Sequence, residues 1–137
     1  MRTVQLFGMM PSGVRHSILG LDGIYDCVEH IPAGVYYGVL PAPSARSFLG
    51  MGRYIAELLD TQRPDAVMTY NWGSIEMVLG ARKRGFAPLI HHEDGFGPEE
   101  AQRFLRRRIW LRRLLLRSAT KIAVPSRNLR DLATRLW

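Results

Sequence analysis

Pro88-Leu89-Ile90-His91-His92-Glu93-Asp94-Gly95-Phe96 is the stretch on which the reading of this chain turns. A short apolar run bounded by Gly85 and Pro88 before it and Asp94-Gly95 after it predicts a buried strand. That strand carries four ionisable side chains into the loop at its carboxyl end, where open α/β sheets bind their ligands. Side chains alternate along a strand, so His91 and His92 should face opposite ways, and only one of them can join Glu93 or Asp94 in a common site. The cluster reads as a rim of titratable groups. No metal is expected, because a divalent site needs three or four convergent ligands.

Working outward, the chain alternates strand and helix signals. Thr3–Phe7 has strand composition and ends at Gly8, and Val14–Leu19, after Pro11-Ser12-Gly13, has helical spacing. A strand, a glycine-containing loop and a helix start can form an anion pocket from free backbone N–H groups, although Gly8 and Gly13 make no phosphate-loop motif and a plain turn is the other reading. Residues 20–47 are broken by glycines and prolines, with Gly34–Leu40 the one plausible strand. Ser47–Leu59 predicts a helix with Phe48, Met51, Ile55 and Leu59 on one face. Asp65–Tyr70 predicts a strand, Ser74 a helix cap, and residues through Arg84 a helix stopped by Gly85. Glu99–Arg117 predicts one long helix, Lys121–Val124 a strand, and Ser126 the cap of a final helix. About five strands alternating with helices imply a doubly wound parallel α/β sheet, a single domain over residues 1–137.

Charge is uneven. Residues 1–100 hold 8 Lys+Arg against 11 Asp+Glu, whereas residues 101–137 hold 11 against 1, so the net +7 comes from the C-terminal segment. Any anionic partner should dock there. One cysteine, Cys27, excludes an internal disulfide and suits a reducing compartment. The first residues do not read as a signal peptide and no stretch approaches the ~20 apolar residues of a membrane span. The expected location is cytoplasmic, free or at the inner face of the membrane.

Four segments in order, residues 64–74 (Pro-Asp-Ala-Val-Met-Thr-Tyr-Asn-Trp-Gly-Ser), 88–96, the Arg-rich helix and 123–130 (Ala-Val-Pro-Ser-Arg-Asn-Leu-Arg), resemble the N-terminal domain of family 4 glycosyltransferases. The match extends to Thr3–Ile18, with Ser12-Gly13 in place of the usual Gly-Gly. The resemblance implies a Rossmann-like domain, one of the two in a GT-B architecture, and a retaining transfer of sugar from a nucleotide-sugar to a polysaccharide or lipid-linked acceptor. It implies no cofactor, the nucleotide-sugar being a substrate. It also implies a second, C-terminal domain that grips the donor. The 137 residues are therefore expected to be a fragment, inactive alone.

The resemblance further implies which residues act. A histidine commonly follows the equivalent strand at the active site. Counting from Pro88, its position is Asp94 here, two residues past His92, so either Asp94 takes the role as a carboxylate or the loop brings His92 in. Glu93, Asp94 and His92 are the expected catalytic residues. Ser12, Gly13, Arg15 and His16 at the first loop should lie near donor phosphates, the alternative being a solvated turn. Asn71 and Trp72 should hydrogen-bond and stack on a sugar, the alternative being a loop anchor packed on the sheet. Arg106, Arg107, Arg108, Arg112 and Arg113 should line the exposed side of their helix, as on a membrane-surface helix. The rival reading is a non-catalytic module whose basic helix holds anionic membrane or nucleic acid. No nucleic-acid recognition motif accompanies the charge, so no specific nucleic acid is expected.

Overall fold

A computed structural model describes residues 2–44, 47–95, 100 and 105–137. The chain divides into two compact units, Met1–Ser44 and Ala45–Trp137.

In the first unit, helix α1 (Arg2–Met9) precedes strand β1 (Arg15–Ile18), a 3₁₀ turn (Asp26–His30) and strand β2 (Tyr36–Val39). β1 and β2 run parallel, from Arg15↔Tyr36 to Ile18↔Val39. This reverses the expected order. Thr3–Phe7 is helical because Val4, with 3% of its surface exposed, and Phe7 lie three residues apart and bury one helical stripe. A short apolar run carries no periodicity that separates helix from strand. Val14–Leu19 is extended because Arg15 and Ser17 face solvent while His16 and Ile18 are half-buried, a period of two. The Phe7 and His16 rings stack at 4.2 Å, tying α1 to β1. Gly8 sits against the Pro32 ring, and the Tyr25 hydroxyl donates to Leu40 O at 2.7 Å.

The second unit carries a three-stranded parallel sheet, β3 (Val67–Tyr70), β4 (Leu89–His92) and β5 (Lys121–Ala123), in that order. Its helices are α2 (Phe48–Gln62), α3 (Ile75–Arg84), α4 (Arg106–Leu115) and α5 (Arg127–Leu136). Ser47 and Ser126 cap α2 and α5 through their hydroxyls, each at 3.1 Å. Gly85, at φ +64°, ends α3 as expected. Val67, Thr69, Leu89 and His91 are buried, whereas Met68, Tyr70, Ile90 and His92 are half-buried, so β3 and β4 each present one inner face. That face is filled out by a core that includes Ile55, Leu59, Ile75, Val78, Ala81, Leu115 and Leu116. Each such large aliphatic is worth roughly 1.5–3 kcal/mol of burial.

The class is α/β with parallel strands, that of a Rossmann-like domain, and its five strands are divided between two sheets. The long helix expected over Glu99–Arg117 is shorter. Glu100 is helical, Leu105 is extended (φ −81°, ψ 106°), and the helix that starts at Arg106 gives way to a 3₁₀ turn at Leu116–Ser118. Glu99 lies outside the described residues, and the first turn of α4 holds no acidic residue. Among the described residues no helix is long and apolar enough to cross a membrane.

α2 and α3 cross closely at two glycines. A Cβ added at Gly80 would lie 2.6 Å from Ile55 Cβ and 3.0 Å from the Gly52 carbonyl oxygen, and one at Gly52 would lie 2.7 Å from Leu79 Cδ2. Alanine improves helix propensity by up to about 1 kcal/mol, but overpacking a tight contact costs about 1–3 kcal/mol. Gly80→Ala is therefore expected to lower the thermal midpoint, whereas Gly73→Ala, with nothing within 4 Å, should leave it nearly unchanged. A midpoint raised by Gly80→Ala would refute the close crossing.

Candidate active site

The carboxyl ends of β3 and β4 are in register, Thr69↔His91 and Tyr70↔His92. Alternation sends the two histidines opposite ways, as expected. His91 turns inward, fully buried, with Nδ1 2.8 Å from Thr69 Oγ1 and Nε2 3.9 Å from Glu93 Oε2. His92 is half-buried and stacks on Tyr70 with centroids 4.7 Å apart. The same period puts Glu93 with His91 and Asp94 with His92.

Glu93 departs from the rim that the sequence suggested. Its side chain is fully buried, and Oε2 accepts from Arg112 Nε at 3.2 Å. Arg112 departs further. Expected on the solvent face of its helix, it is fully buried, because Leu115 and Leu116, three and four residues on, share its face. Its NH1 lies 3.3 and 3.2 Å from the two Glu100 carboxylate oxygens, and NH2 lies 3.3 Å from Glu100 Oε2. Arg108 NH1 reaches Glu100 Oε2 at 3.5 Å. Two guanidinium groups thus face two buried carboxylates, a balance that such burial demands.

Trp72 meets two arginines of α4. The guanidinium carbons of Arg108 and Arg112 stand 5.1 and 5.0 Å from its ring centroid, and Arg112 is also 5.4 Å from the Trp137 ring. Ser74 does not cap α3. Its hydroxyl accepts from Tyr70 N at 2.7 Å and closes the β3 turn instead.

Asp94 is exposed at the rim. Its N–H donates to Asn71 Oδ1 at 2.7 Å, and Asn71 N–H donates to His92 O at 2.7 Å. Asn71 therefore bridges the ends of β3 and β4 from a left-handed φ of 57°, a conformation costing about 1–3 kcal/mol that clusters at functional sites. Burial pushes the His92 pKa below its ordinary 6.5, the nearby Asp94 carboxylate pulls it up, and His91 pushes it down. His92 Nε2 is buried without a hydrogen-bond partner among the described residues. At neutral pH the ring is uncharged, with one nitrogen to donate and one to accept.

Ser12, Gly13, Arg15 and His16 lie in the first unit. Gly13 sits at φ +99° in a turn closed by Val14 N–H to Pro11 O at 3.4 Å. Arg15 and His16 stand on β1 and not at a helix start. The expected pocket of helix N–H groups is therefore not formed there. Burial lowers the His16 pKa below 6.5.

On α4, Arg106, Arg107 and Arg113 are exposed, while Arg108 is half-buried over Trp72. Between them Trp110 is 62% exposed, a feature the sequence reading passed over. It also missed Thr69 and Glu100. The two-residue spacing of His91 and Glu93 was the available signal. No group of three or more His, Cys, Asp or Glu side chains among the described residues converges as a metal site.

The profile of the family described as "Glycosyl transferase 4-like domain" matches residues 7–137. No curated protein and no solved structure matches the chain.

The His92 environment has a measurable consequence. Its folded pKa lies below the unfolded 6.5, so the stability it contributes is full above 6.5 and is lost as pH falls through the folded value. By NMR titration its midpoint is expected below 6.5, and lower still in Asp94→Asn, which removes the attraction that raises it. A midpoint that rises in Asp94→Asn would mean that the two side chains are not neighbours.

Proposed function

Because this chain belongs to the glycosyl transferase 4-like family, we propose that it forms the acceptor side of a retaining glycosyltransferase, with the nucleotide-sugar gripped by a second domain. The observation that carries this reading is the division of labour at the end of β4. Glu93 is buried in an ion pair, whereas Asp94 is exposed at the rim beside an uncharged His92.

Transfer joins an acceptor hydroxyl oxygen to the anomeric carbon and breaks that carbon's bond to the nucleoside diphosphate. The Asp94 carboxylate accepts the hydroxyl hydrogen bond and takes its proton. His92 lines the acceptor's approach to that carboxylate, and the Asn71 bridge holds the Asp94 main chain in place. Between the two alternatives at this rim, the carboxylate thus takes the role of base and His92 that of orienting group. The acceptor class is a polysaccharide or lipid-linked glycan.

In the full polypeptide, nucleotide release from a panel of nucleotide-sugars, with donor and acceptor saturating, tests the assignment. Asp94→Asn is expected to lower kcat by about 10²–10⁴, the usual worth of a positioned base, and His92→Ala by less. Wild-type turnover in Asp94→Asn with loss in His92→Ala would move the role by two positions. The 137 residues alone are expected to release no nucleotide.

The exposed face of α4 favours a second, compatible reading, docking on anionic membrane. Trp110 stands exposed with Arg106, Arg107 and Arg113 on the same side of the helix as exposed cations, the composition of an interfacial helix. Each basic residue near an anionic surface is worth about 1 kcal/mol, so changing all three to Gln should weaken binding to anionic vesicles by roughly 100-fold. Equal sedimentation with anionic and neutral vesicles at low salt would remove this reading.

A further inference from the structure

We propose that Arg112 is a positioning residue for the Asp94 rim, acting through Glu93 on one side and through Trp72 and Asn71 on the other. The inference rests on the reading of Asp94 as the acting carboxylate.

Arg112 projects from α4 into a fully buried site. Its Nε holds Glu93 Oε2 at 3.2 Å, and the rest of its fork holds Glu100. Glu93 immediately precedes Asp94, and its own N–H is bound to Ala123 O of β5 at 2.9 Å. With main chain and side chain of Glu93 both fixed, alternation turns Asp94 outward. The second support is the β3 turn. Arg112 stands 5.0 Å from the Trp72 ring centroid, and Trp72 follows Asn71, whose Oδ1 holds the Asp94 N–H at 2.7 Å. One guanidinium thus contacts the residue next to each anchor of Asp94.

A planar fork can do this and a point charge cannot. Arg presents donors in fixed directions to two carboxylates at once, whereas Lys keeps the charge and loses the geometry. Burial of the pair by itself does not demand this choice, because well-packed apolar residues often replace a buried ion pair without loss of stability. What an apolar side chain lacks is the ability to set the direction in which Glu93 points.

The test is Arg112→Lys in the full polypeptide, read three ways. The His92 midpoint, which Asp94 holds up, should fall as Asp94 drifts away. The Asp94 amide should exchange with solvent at least tenfold faster, while amides of α2 keep their wild-type rates. The kcat should fall tenfold or more with the acceptor KM changed less than threefold. Should Arg112→Lys fail to fold, Glu100→Gln, which keeps shape and loosens the far anchor, is read by the same amide exchange and midpoint. A folded variant with unchanged His92 midpoint and Asp94 exchange overturns the positioning role, whatever its activity. Displaced Asp94 with full turnover would instead sink the reading of Asp94 as the base.

Discussion

The second unit depends on one buried cation. Arg112 sits where α4, the end of β4 and the turn after β3 meet, and it engages Glu93, Glu100 and the rings of Trp72 and Trp137. An unpaired guanidinium in that position would be untenable, since breaking a buried pair costs about 3–5 kcal/mol through the charge left behind. The geometry is therefore over-determined. Five side chains (Arg108, Arg112, Glu93, Glu100 and Trp72) meet at this point, and displacing α4 would separate both carboxylates from their cations.

This constraint also sorts the rim. A strand end carrying His-His-Glu-Asp offers four titratable groups, but alternation and burial give them different tasks. His91 and Glu93 go to the interior, where Thr69 and Arg112 meet them. His92 and Asp94 stay at the edge, coupled to one another. A carboxylate accepts hydrogen bonds only, whereas the neutral imidazole beside it can both donate and accept one.

Much of this was legible in the sequence where period and punctuation agree. Ser47 and Ser126 marked helix starts, Gly85 marked a stop, and the strand ending in His91-His92 was visible from its flanking turn residues. The N-terminal order was not, because Thr3–Phe7 is too short for helix and strand periods to differ, and only the burial of Val4 decides it. The fate of Arg112 was illegible for another reason. Seven arginines among leucines read as a basic face, and which of them turns inward depends on Glu93 and Glu100, carboxylates 19 and 12 residues away. Pairing at that distance leaves no local trace.

Asn71 shows how support and site are joined. A non-glycine residue at φ 57° is held there against its own preference, and its position is explained by what its two polar groups reach. The N–H takes His92 O and the amide oxygen takes Asp94 N–H, each at 2.7 Å. The first continues the β3–β4 ladder by one residue, and the second reaches past it to the loop after β4. The strained residue thus ties the Asp94 main chain to the end of β4 that carries the half-buried histidine, and Trp72, the next residue, stands against the buried arginine. Rigidity at the edge of this sheet is imported from its interior.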